Sequence, residues 1–148
     1  MLIIAKPALI TYVTAGYPSP NATTDILLGM ERGGVDIVEL GMPFTDPIAD
    51  GPTIQRANTV ALGHGTTLND CLEMVRTSRE RGLTIPVLLM GYYNPVLSFG
   101  ESRLMKQAKE VGVNGFIIVD LPPEEAVSFR KHCLAEGYVR LISRPQPC

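Results

Sequence analysis

Three carboxylates crowd one short segment of this chain, VELGMPFTDPIADGPTIQ, from Val38 to Gln55: Glu39, Asp46 and Asp50. Glu39 stands at the end of an apolar run, Val35 to Leu40, that reads as a buried strand. A folded domain gains nothing from an acid there unless something pairs with it. Asp46 and Asp50 follow on a loop broken by prolines and a glycine. One acid on a rigid strand and another on the loop after it suit general acid/base work. Asp46 lies between Thr45 and Pro47, where capping a turn is its plainer role. Asp120 ends a second apolar run, GFIIVD, just before Leu121 and Pro122, and faces the same choice between chemistry and a turn. His64, between two glycines, reads as a solvated loop residue, and His132, beside Lys131, as an exposed helix residue.

Such acids need a scaffold that holds them at one end of a sheet. The chain alternates short apolar runs with segments of helical period. Ala8 to Val13, Val35 to Leu40, Pro86 to Met90 and Gly115 to Asp120 read as four strands, and Tyr138 to Ile142 begins a fifth. Asn21 to Arg32, Leu68 to Arg81 and Glu101 to Val111 read as helices, and Pro123 opens another that Gly137 ends. Thr67 is the cap of the second and Gly82 its terminator. Pro43 to Gln55, Gly91 to Phe99 and Leu121 to Glu125 read as loops. Continuously apolar strands separated by helices predict a parallel sheet covered by helices. No glycine-rich dinucleotide or P-loop fingerprint occurs, and the polar loops gather after strands two, three and four, which suits a β/α barrel. A closed barrel needs eight units and roughly 250 residues. This chain offers four units and the start of a fifth strand, followed by an atypical tail, 140–148.

Composition narrows the function classes. The 148 residues are 45% hydrophobic and 19% charged, with net charge −2, which favours neither nucleic acid nor a membrane surface. No apolar run is long enough to span a bilayer. The apolar N-terminus lacks the basic region and cleavage site of a signal peptide. Cys71, Cys133 and Cys148 form an odd, widely spaced set with no zinc or redox spacing, which predicts a reducing, cytoplasmic compartment. Cys71 and Cys133 fall on apolar helix faces and read as buried thiols.

Four blocks carry a resemblance to a known family. ALITYVTAGYP (Ala8 to Pro18), ELGMPFTDPIADGPTIQ (Glu39 to Gln55), LLMGYYNPVLSFG (Leu88 to Gly100) and NGFIIVDLPPEEA (Asn114 to Ala126) resemble the α component of tryptophan synthase, in the family's order and spacing. The wording is most similar to the fungal form, in which α and β components are one polypeptide. The resemblance spans roughly Lys6 to Val139, and RLISRPQPC departs from it. It implies a TIM barrel, of which residues 1–139 are the N-terminal half, in L-tryptophan biosynthesis. It implies a lyase that cleaves indole-3-glycerol phosphate to indole and glyceraldehyde 3-phosphate by a retro-aldol reaction. It implies Glu39 as the general acid/base and Asp50 as the carboxylate that holds the indole N–H. Tyr92 and Phe44 are implied in the indole pocket. Thr45, Pro47 and Asn94 are implied in loops that shape the site and face a β component, and Asp120 lies near that interface. The α reaction is implied to need no metal or organic cofactor, pyridoxal phosphate belonging to the β component. The family's phosphate-binding loops follow its later strands, so the alternative is a catalytically incomplete half-barrel that self-associates or binds a β-type partner.

Overall fold

Strands built from runs of Val, Ile and Leu bury side chains on both faces, so helices must cover at least one of them. The computed structural model describes residues 7–122, 124, 126–138 and, as backbone, 141–143. Its strands β1 (Ile10–Thr14), β2 (Ile37–Gly41), β3 (Val87–Gly91), β4 (Gly115–Ile118) and β5 (Leu141–Ser143) form one sheet in sequence order, with every neighbouring pair parallel. The helices are α1 (Ala22–Arg32), α2 (Pro52–Gly63), α3 (Leu68–Glu80), α4 (Tyr93–Phe99), α5 (Glu101–Val111) and α6 (Val127–Ala135). The arrangement is a partial α/β barrel. Of the segment expected to be an atypical tail, 140 and 144–148 lie outside the described residues, and 141–143 form β5.

Two expected loops contain helices. α2 begins at Pro52, a residue whose fixed φ suits a first helical position. Its buried residues are only Asn58 and Ala61, so it has almost no apolar stripe to betray it. α4 carries Pro95 within its first turn, where the missing N–H removes no helical bond. The last helix begins at Val127, later than its expected start at Pro123, which lies outside the described residues.

Register separates the two faces of the sheet. Val38, Leu40, Val87, Leu89, Phe116 and Ile118 are buried beneath the helices. There α1 packs on α3, α3 on α5, and α5 on α6. Phe116 meets Phe129 of α6 and Tyr138 edge-on, with centroids 5.8 and 5.3 Å away, a geometry that favours aromatic pairs. Cys71 and Cys133 are buried free thiols, pushed by burial to about 12 and about 11.

Buried or shared polar groups lock the N-terminal ends of the strands. The Arg79 guanidinium donates to the carbonyls of Leu83 and Ile85 at 2.8 Å, to Gly112 O and to Asn114 Oδ1. Asn114 Oδ1 also accepts from Val87 N, tying the starts of β3 and β4 together. The Glu31 carboxylate on α1 accepts from the N–H of Thr84 and of Ile85 and from the Thr84 hydroxyl. Those bonds hold the Glu31 carboxyl below its ordinary value of 4.5.

Thr67 caps α3 in a reciprocal box with Asp70, so Thr67→Ala is expected to cost about 1 kcal/mol in a denaturant-melting measurement. Glu31 titrates lower folded than unfolded, so its contribution is present above 4.5 and is lost as pH falls through the depressed value. Glu31→Gln is expected to lower the denaturation midpoint at neutral pH, with the gap to the parent closing below that window. A gap that persists unchanged in acid would assign the effect to packing instead of charge.

Candidate active site

In a parallel sheet, residues paired in register point to the same side. Tyr12, Glu39, Leu88 and Gly115 share one row, and Thr14, Gly41, Met90 and Ile117 the row above it. Both rows face away from the helices. Glu39 is half-buried there, between Tyr12 of β1 and Leu88 of β3. Among the described residues no hydrogen bond or ion pair engages its carboxylate, which leaves its oxygens available to an incoming group.

Gly41 makes room for Tyr12. A Cβ at Gly41 would collide with the Tyr12 ring and hydroxyl, and its absence lets the phenol lean across β2 towards Thr14, 3.2 Å away. Burial raises the Tyr12 phenol above its ordinary value; the Thr14 bond opposes the rise, and the charges of Asp50 and Glu39 add to it. Tyr12 and Glu39 stand side by side in the same row of the sheet.

Asp50 stands on the loop before α2. The Tyr92 hydroxyl and the Asn58 side chain lie near its carboxylate and favour the ionised form. Tyr92, 4% exposed, follows β3 and packs with Ile117 and Val119 of the inner face. The backbone N–H of Ala49 donates to Tyr92 Oη at 2.8 Å, which ties the loop to the end of β3. Burial pushes the Tyr92 phenol up to about 12, and the neighbouring Asp50 adds to the rise. Burial also raises the Asp50 carboxyl, against the lowering effect of Tyr92 and Asn58. Phe44 stacks at a tilt on Tyr92, centroids 5.1 Å apart.

The structure thus brings Glu39, Asp50, Tyr92 and Phe44 to one end of the sheet. Thr45 and Pro47 line a neighbouring groove of about 300 Å³ between their loop and α2. Asn94 is exposed on α4, apart from that groove. Asp120 caps α4: its Oδ1 accepts the Tyr93 N–H at 2.8 Å. The Asp46 side chain is exposed, and its turn bond is made by its backbone carbonyl to Ile48 N. Of the adjacent tyrosines, Tyr92 faces the site, while Tyr93 donates to Glu101 and packs edge-on against Phe129. His64 is exposed with a ring nitrogen 3.1 Å from Pro18 O. His132, expected to be exposed, is instead half-buried, 3.4 Å from the Glu101 carboxylate. Among the described residues no three His, Cys, Asp or Glu side chains converge to hold a metal, and no helix is long and apolar enough to cross a membrane.

Two site residues went unnoticed in the sequence. Tyr12 is a polar-tipped aromatic inside a strand, a signal that gains meaning only once the β1–β2 register sets it beside Glu39. Asn58 stands three positions after Gln55 and three before Ala61, on the buried stripe of a helix whose first turn falls in the expected loop Pro43 to Gln55.

Residues 4–146 match the family model described as tryptophan synthase alpha chain. The tryptophan synthase of Saccharomyces cerevisiae is 61% identical over 132 residues, covering 89% of this chain and 19% of the yeast protein. A crystal structure of tryptophan synthase subunit alpha from Legionella pneumophila superposes with TM-score 0.88 at 43% identity, covering 93% of this chain and 52% of that one. The tryptophan synthase complex of Pyrococcus furiosus contains a chain matched with TM-score 0.84 at 37% identity, covering 90% of this chain and 55% of that one. The chain spans about half the length of the solved chains it matches. With the paired acids, their rows of inward residues and a family match across nearly all of its length, this chain belongs to the tryptophan synthase alpha chain family.

Proposed function

We propose that this chain supplies the acid/base residues for retro-aldol cleavage of indole-3-glycerol phosphate to indole and glyceraldehyde 3-phosphate, in L-tryptophan biosynthesis. The observation that carries the reading is Glu39, half-buried near the C-terminal end of β2 with its carboxylate unengaged among the described residues, and Asp50 on the loop that follows. Cleavage requires a proton on indole C3 and removal of the proton from the glycerol C3′ hydroxyl. Glu39, half-buried and with free oxygens, gives the first proton and takes the second. As the C3–C3′ bond breaks, its electron pair returns to the ring, and the C3′ oxygen becomes the aldehyde. Protonation at C3 places positive charge on the indole nitrogen, which the fixed Asp50 carboxylate opposes. Tyr92 and Phe44 supply an aromatic wall for the indole. The scheme uses no metal or organic cofactor.

Residues 1–139 correspond in this reading to the N-terminal half of the barrel. A β-type component is the proposed partner, docking near Thr45, Pro47, Asn94 and Asp120. Two buried free thiols fit a reducing, cytoplasmic setting.

A second reading is favoured by one observation. Leu9 and Ile10, at the edge of the sheet, are 51% and 50% exposed, and among the described residues one side of β1 has no strand partner. An apolar open edge invites pairing with another chain, so a half-barrel that self-associates is the rival to an active enzyme. Sedimentation at micromolar concentration separates them: the rival predicts dimers or larger species, and a clean monomer removes it.

The lyase reading is tested by indole release from a polypeptide that continues this chain to the length of its relatives. Glu39→Gln, which keeps the shape and removes the proton transfer, is expected to reduce kcat by ~10²–10⁴-fold. A variant that retains its kcat would overturn the assignment of Glu39.

A further inference from the structure

The loop that carries Asp50 has little apolar burial to hold it. Thr45, Asp46, Ile48 and Ala49 are exposed, Ile48 by 73%. Two main-chain bonds inside the loop, from Ile48 N to Asp46 O and from Asp50 N to Pro47 O, set its shape without fixing where it stands. Its position must come from outside, and an acid displaced by a small distance is a poor partner for charge that develops in a transition state. We propose that the Tyr92 hydroxyl and the Gln55 side-chain amide form a two-point latch on the main chain at Ala49 and Asp50, and that both are positioning residues for the Asp50 carboxylate.

The two bonds of the latch bracket the Cα of Asp50. On one side the Ala49 N–H donates to Tyr92 Oη at 2.8 Å. On the other, Gln55 Nε2 donates to the Asp50 carbonyl at 2.9 Å and reaches Pro47 O at 3.5 Å. The stretch between the two held atoms contains one planar peptide bond, that of Ala49 and Asp50, so little freedom is left to swing the Asp50 side chain.

The posts of the latch are themselves fixed. Tyr92 is 4% exposed and packs with Ile117 and Val119. Its ring also meets Phe44, at the start of the same loop, with centroids 5.1 Å apart. One side chain thus holds the loop at its start through the ring and near its end through the hydroxyl. Gln55 belongs to the first turn of α2, where its own N–H donates to Gly51 O. The latch therefore ties the loop to the end of β3 and to α2 at once. Gln55 is exposed, so its role rests on geometry and not on burial.

Backbone amide exchange in this chain is the first test. In the parent, the Ala49 amide is expected to exchange more slowly than those of Thr45 and Asp46, although all three residues are exposed. Tyr92→Phe keeps the ring and its contact with Phe44 and removes the acceptor, and it is expected to erase that protection. Gln55→Met keeps the length of the side chain and removes the donor, and it is expected to loosen Pro47 to Asp50 in backbone NMR relaxation. The second test is kinetic, uses the polypeptide continued to the length of its relatives, and rests on the lyase reading. Each variant is expected to lower kcat by ~10–10²-fold, with KM and the denaturation midpoint near the parent's. A residue that only stabilises the fold would lower the midpoint and leave the kcat of folded molecules alone. An Ala49 amide no slower than its neighbours, or one unchanged in Tyr92→Phe, would overturn the latch. Loosened loops with an unchanged kcat would overturn the positioning role. If Tyr92→Phe does not fold, the parent's exchange pattern and Gln55→Met decide the matter. An extended parent that releases no indole would count against the lyase reading alone, since the exchange test needs no turnover.

Discussion

The pairing of Tyr12 with Glu39 across the β1–β2 ladder is the constraint on which the site depends. Side chains alternate between faces along a strand, so a slip of one residue would turn Glu39 beneath the helices, among Val38 and Leu40. An ionised carboxylate in that layer would have no partner, at a cost far beyond what one domain's net stability can absorb. The burial of Val38, Leu40, Val87 and Leu89 thus fixes the register, and the register presents Glu39 to the other side. The orientation of Glu39 is in this sense a by-product of hydrophobic burial on the opposite face.

The second acid is placed by a different device. Asp50 lies on a loop, and loops hold position poorly unless side chains anchor them. Here the anchors come from the helix that follows and from the end of the next strand. Gln55 holds the Asp50 carbonyl from α2, and the Tyr92 hydroxyl at the end of β3 accepts the Ala49 N–H. Asp120 in turn steadies Tyr92's neighbour by capping α4 at Tyr93. The acid-bearing loop is therefore braced across β3 and β4, and the order of the sheet matters to it as much as the local sequence.

Much of this was legible in the chain itself. The strands announced themselves as apolar runs, and Thr67 marked the start of α3. Glu39 and Asp50 stood out because an acid at the end of a buried strand demands a reason. What stayed hidden was hidden for physical causes. α2 buries one alanine and one asparagine, so no apolar period exposes it. α4 is seven residues long and holds a proline in its first turn, which makes its sequence read as a turn. Tyr12 and Asn58 acquire meaning only through contacts between elements, one through strand register and one through the docking of an unanticipated helix. His132 was misread because its neighbour Lys131 is polar, while the helix turns the imidazole towards Glu101.

Stability and chemistry sit at opposite ends of the same strands. At the N-terminal ends, Arg79 spends its donors on four carbonyl-type oxygens, and Glu31 gathers the turn before β3. Arg79 is saturated, and saturation is what makes it structural: each of its donors has an acceptor and none is left for a ligand. At the C-terminal ends the accounting is reversed. Glu39 has free oxygens, Asn58 has an unpaired one, and Asp50 is held against the pull of burial. Unsatisfied and perturbed polar groups are costly, so a fold tolerates them together only where the rest of the barrel end is firmly braced. The C-terminal ends of β2 and β3 therefore differ from the N-terminal ends, and they are the ends at which a β/α barrel places its chemistry.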